Sequence, residues 1–194
     1  MIARSRTDPW LRPARVVSVL LHPFAVFAGV AMAAAWRLDP GSLGRTAAGI
    51  GVAVAIVWAF VLQRHRGGHW QTVDASRRQE RPLLYLLALL VAGGYWWWMG
   101  GSRSAASQGV LAAVAMLCIA AIANRWIKLS LHMASLAFAG MALWRLLGTP
   151  ALAAFALLPL LAWSRLRLAR HSLSEVLGGA LLGLGCGGAL LALA

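Results

Sequence analysis

Long apolar runs broken by short polar knots recur along the whole chain. Seven runs stand out, at residues 16–36, 46–63, 83–99, 106–123, 130–147, 150–163 and 174–194. A helix that crosses a bilayer needs about 20 mainly apolar residues. The pattern therefore predicts an all-α protein, a polytopic bundle of six to seven transmembrane helices forming one integral membrane domain over residues 1–194. The first run follows Arg4, Arg6, Arg12 and Arg15 as a signal peptide would. Its apolar stretch is too long for one and a second run follows closely, so it reads as an anchor. The sixth run, bracketed by Pro150 and Pro159, falls short of a full crossing and is expected to lie tilted or partly interfacial. In the last run Gly179, Gly183 and Gly187 recur every four residues, which predicts a smooth face for close helix packing. Tyr95 to Gly101, YWWWMGG, reads as an aromatic belt at a span end.

Composition agrees with the pattern, for 61% hydrophobic and 12% charged residues lie outside the range of ordinary soluble domains. Cys118 and Cys186 sit inside apolar runs and read as small packing residues, not as a disulfide or a thiolate metal site. A net charge of +13 would suggest nucleic acid in a soluble protein. Here most of the arginines fall between apolar runs, where they set topology and meet anionic headgroups, so no nucleic-acid partner is expected. The N-terminal tail, residues 64–82, 124–129 and 164–175 together hold 14 Lys and Arg; the opposite connections hold Arg37, Arg45, Arg103 and Arg145. The positive-inside rule then puts the N-terminus and those three connections in the cytoplasm, in what is expected to be a bacterial inner membrane. The assignment keeps nine against four when the five cations of the candidate site are set aside.

Three connections on that side carry unusual polar groups, all within residues 74–175. In DASRRQERP (Asp74 to Pro82), a helical conformation would set Arg81 on one face with Arg77 and Arg78. Guanidinium forks match phosphate oxygens and stay charged at any working pH. In RWIKLSLH (Arg125 to His132), Lys128 and His132 share a face at one-turn spacing, and Ser130 stands near the start of the next span, where free N–H groups favour an anion. In SRLRLARHSLSE (Ser164 to Glu175), His171 and Glu175 fall one helical turn apart. The carboxylate would fix the tautomer of the imidazole and leave its other nitrogen free to attack or take a proton. A carboxylate at the edge of lipid is a functional candidate by default.

The order of these motifs resembles the type 2 phosphatidic acid phosphatase superfamily, whose pattern is K-x6-R-P, then P-S-G-H, then S-R-x5-H-x3-D. Ser164, Arg165, His171 and Glu175 reproduce the third element with Glu in place of Asp. Ser130 to His132 matches the second without its Pro and Gly. Arg81 and Pro82 match the end of the first, with Asp74 at the Lys position. The resemblance implies a phosphatase that acts on a lipid phosphate or an isoprenoid or polyprenyl diphosphate and needs no metal or cofactor. By it, His171 would form a phosphohistidine, Glu175 would orient it and His132 would protonate the leaving oxygen. Arg81, Arg165, Ser130 and Lys128 would hold the phosphate, with Arg77 or Arg78 replacing the missing Lys.

The departures from the pattern recommend a second reading, a non-enzymatic protein that binds phospholipid or acts as a scaffold. A haem carrier would need histidine pairs at similar depth on facing helices, whereas only His22 is embedded in a run. An intramembrane prenyltransferase would need clustered aspartates, which are lacking. Rhomboid-like proteolysis would need a serine in a Gly-rich setting, which Ser130 does not have.

Overall fold

The computed structural model describes residues 8–67 and 78–192. Among them every regular element is helical: α1 (Leu11–Leu20), α2 (Pro23–Leu38), α3 (Leu43–Arg66), α4 (Arg81–Trp98), α5 (Ser107–Ala123), α6 (Leu131–Leu147), α7 (Leu152–Arg167) and α8 (Leu173–Ala192). Four stretches are long and apolar enough to cross a membrane: Leu11–Leu38, Pro40–Arg66, Thr149–Arg167 and Leu173–Ala192. Helices α5 and α6 are apolar but only 17 residues each.

Two expectations change. The first run is not one uninterrupted helix: it breaks at His22, because Pro23 lacks an N–H and its ring clashes with the preceding turn. Pro23 instead opens α2, and His22 caps it by accepting the Phe24 N–H on Nδ1 at 3.3 Å. The sixth run, expected to be too short, continues through Pro159 into the polar knot as far as Arg167 and reaches spanning length with it.

Helix α6 is the centre of the packing, buried over most of its length from His132 to Ala142. Helix α8 lies along it, and α2 and α7 also pack against α6. Between apolar helices in lipid there is no hydrophobic drive, so contact depends on how closely backbones approach. Gly179, Gly183 and Gly187 are buried in this seam, where an added Cβ would meet the carbonyl oxygens of Ser130 and Ala134 and, at 2.5 Å, Cβ of Met141. The spacing of four residues that predicted a smooth face is the spacing that α6 occupies. On the other side of α6, helices α2, α3, α4 and α5 pack in sequence, with α5 resting on α8. They surround a cavity of about 570 Å³.

Candidate active site

The polar end of that cavity is lined by His22, Arg81, His132 and Arg165, and four places in the chain meet around it. The first is the start of α4, where Arg81 is buried and donates from Nη1 to the Leu129 carbonyl at 2.9 Å. A cation in the first turn opposes the helix dipole and loses solvation as well. Such a placement is costly for folding and calls for an anion nearby.

The second is the link into α6. Residues 127–130 are not helical, so Lys128 and His132 do not share a helical face as the spacing suggested. They still reach one region. Lys128 Nζ donates to the Arg170 carbonyl at 2.8 Å, and burial lowers the ammonium's pKa against the pull of the Glu175 charge. Ser130 caps α6 with extended backbone, and its N–H is taken by the Glu175 carbonyl at 3.0 Å. Its Oγ is fully buried and has no hydrogen-bond partner. A buried hydroxyl without a partner loses about 1–3 kcal/mol, so an occupant able to bond with it would be favoured. Absence of a side chain at Gly179 is what lets the Ser130 backbone come so close to α8.

The third is the turn between α7 and α8. The end of α7 closes with the Arg170 N–H on the Arg165 carbonyl at 3.2 Å and the Ala169 N–H on Leu166 at 3.0 Å. Ala169 takes φ 52°, the left-handed position that glycine normally fills at a helix end. This reversal returns His171 towards Arg165. Sequence spacing placed His171 and Glu175 on one helix, but α8 starts only at Leu173. The contact forms through a capping box: Glu175 Oε2 accepts the Ser172 N–H at 3.1 Å, while Ser172 Oγ accepts the Glu175 N–H at 3.3 Å. The same Oε2 lies 2.9 Å from His171 Nδ1. A carboxylate only accepts, so Nδ1 carries the proton facing it, and the ring also bonds to the Lys128 backbone.

The fourth, α1 and its break, went unnoticed in the sequence. Ser18 Oγ accepts from Arg165 Nη1 at 2.7 Å, and Ser164 Oγ donates to the Ala14 carbonyl at 2.6 Å. The His22 ring meets the His132 ring edge to face, centroids 5.1 Å apart. His132 also bonds to the Ser18 backbone. A histidine embedded in an apolar run was the available signal for His22; nothing marked Ser18.

Arg81, Lys128, His132, Arg165, His171 and Glu175 are thus gathered at one mouth. His171 is 8% exposed, and burial first, then the charges of Arg165, Arg81 and Lys128, push its pKa down to about 3. His171 and His132 are close enough to influence each other's charge. Arg167 pairs with Asp8 at 2.8 Å, and the carbonyl of Arg170 accepts from Lys128. Arg77 and Asp74 lie outside the described residues, as does the side chain of Arg78. Compared with protein-family models, with curated proteins and with solved structures, the chain matches nothing.

Proposed function

We propose that the protein is a membrane phosphatase that hydrolyses a lipid phosphate, or an isoprenoid or polyprenyl diphosphate, through a phosphohistidine. The observation that carries this reading is His171, neutral, fixed by Glu175 at 2.9 Å and set among Arg81, Lys128 and Arg165, of which Arg81 and Arg165 line an apolar cavity. A neutral imidazole has little reason to be buried among three cations unless an anion joins them. The same residues support the resemblance to the type 2 phosphatidic acid phosphatases.

In the first step His171 Nε2 attacks phosphorus, the bond to the leaving oxygen breaks, and His132 delivers the proton that oxygen needs. Water then attacks the phosphohistidine, His132 takes up its proton, and phosphate leaves as Nε2 recovers its lone pair. Arg81, Arg165 and Lys128 stabilise charge on the phosphoryl oxygens, with Ser130 Oγ as a further donor. Glu175 is one methylene longer than the Asp of the resembling pattern, and the 2.9 Å contact supports the view that it still orients His171. The residues use their own charges throughout and call for no metal.

We place the mouth on the cytoplasmic face from the 14-to-4 charge count, and take α4, α5 and α6 as further spans of a bundle of six to seven. The test is phosphate release from lipid phosphates and isoprenoid diphosphates in detergent with EDTA. Wild type should turn over and label His171 from a ³²P substrate; His171→Ala should do neither. Glu175 also caps α8, and that structural duty favours the non-enzymatic alternative. Saturable lipid-phosphate binding without phosphate release in wild type would decide for it.

A further inference from the structure

The cavity does not stop at the mouth. Its walls continue through Ala31, Val57, Ala88 and Ala113 to a second polar end formed by Arg37, Gln108 and Arg145. There Arg145 Nη1 donates to Gln108 Oε1 at 3.3 Å, and Arg37 Nε donates to the Leu146 carbonyl at 3.1 Å. Both arginines are exposed, unlike Arg81 and Arg165 at the mouth, so this end faces the far membrane surface.

From His132 to Arg145 is 13 residues along α6, about 20 Å at 1.5 Å per residue. That is more than half of a hydrocarbon core about 30 Å thick, so the lumen passes the bilayer midplane and ends at a polar stop. The cavity, about 570 Å³ and partly open to its surroundings, has room for one extended hydrocarbon chain over that length.

We infer that the cavity is a ruler for one hydrocarbon tail of a lipid carrying a terminal phosphate, and that its length excludes very long polyprenyl tails. Resting on the phosphatase reading, this narrows the substrate class. A saturated C–C bond of about 1.5 Å advances about 1.25 Å along an extended chain, so about 20 Å holds roughly 16 carbons, or four isoprene units. The polar stop at Arg37, Gln108 and Arg145 sets that limit, because a methyl end pushed among them would desolvate charges without replacing their partners.

Two plugs test the ruler. Ala88 and Ala92 both line the lumen, 7 and 11 residues beyond Arg81 along α4, at depths of about 10 and 16 Å. Turnover of single-chain phosphates from 6 to 24 carbons is measured in nanodiscs, with a four-unit prenyl phosphate and an eleven-unit prenyl phosphate beside them. Each variant is referred to its own 6-carbon value, so loss of folded protein cancels. In wild type, kcat/KM should fall at least tenfold beyond about 16 to 18 carbons, and for the eleven-unit substrate. In Ala92→Phe the break should move to roughly 12 carbons and in Ala88→Phe to roughly 8, following depth at about 1.25 Å per carbon.

Displacement of radiolabelled hexadecylphosphonate by alkylphosphonates of the same lengths gives the parallel binding profile, which needs no chemistry. Hydrolysis with a length profile that neither plug moves would overturn the tunnel and leave the phosphatase. A binding break that follows the plugs without any hydrolysis would keep the tunnel and overturn the phosphatase.

Discussion

His171 is the residue on which the proposed chemistry depends, and its environment makes a pH prediction with a definite sign. Its folded pKa of about 3 lies below the value near 6.5 of an unfolded imidazole. The unfolded chain therefore takes up a proton over this window that the folded protein refuses. The contribution to stability is complete above about 6.5 and is lost as pH falls towards 3, by up to about 1.4 kcal/mol per pH unit. The thermal midpoint in detergent should drop between pH 6.5 and 4.5, and drop less in His171→Gln; equal slopes would refute the account. Catalysis should keep its nucleophile neutral across the same range. His132 makes a different prediction. As the proposed general acid it would contribute about 10²–10⁴-fold, so His132→Ala should lose that much on an alkyl phosphate and far less on p-nitrophenyl phosphate, whose leaving group needs no proton. Equal losses on both would remove it from that role. At this scale the sequence was informative, since Ser164, Arg165, His171 and Glu175 were legible as a motif. The capping box that joins Glu175 to His171 was not, because it depends on α8 starting two residues later than the spacing implied.

The seam between α6 and α8 is where a helix-level pattern can be tested most directly. Gly183 faces the Ala134 carbonyl, whereas Gly185 has nothing near its absent Cβ. Gly183→Ala should force the helices apart and cost about 1–3 kcal/mol, the usual range for overpacking. Gly185→Ala should be neutral or gain up to about 1 kcal/mol from helix propensity. Denaturation in mixed micelles would compare them, and equal effects would show that the seam is looser than described. Since Ser130 leans on Gly179 in the same seam, Gly183→Ala should also weaken phosphate binding. Element boundaries were less legible than this face. Pro159 suggested a stop within α7 that did not occur, while Pro23 produced a break that an apolar count passes over, because hydropathy registers neither a missing N–H nor a cap.

Across the whole molecule, the site depends on an attachment that no local pattern contains. Ser164 and Arg165 are tied to Ala14 and Ser18 about 150 residues earlier, and Asp8 holds Arg167 from the same end of the chain. Helix α1 thereby orients the Arg165 guanidinium from behind. Ser18→Ala should raise KM for a lipid phosphate several-fold with kcat changed less, consistent with the loss of one hydrogen bond to a charged group worth about 1.5–3 kcal/mol at most. A fall in kcat with KM unchanged would place Ser18 in another role. The His22 and His132 ring contact is equally remote, joining residues 110 apart through the break at Pro23.

Period and composition alone determined that the chain is helical and apolar, that α8 has a face of small residues, and that its imidazoles and cations cluster between apolar runs. These are properties of neighbours, written in spacings of three and four residues and in the solvation cost of each side chain. Tertiary structure decided which connections meet, that Ser18 and His22 join them, and that five helices leave a lumen with polar ends. Such relations arise from how closely backbones approach one another, and approach is set jointly by residues that lie far apart in the chain.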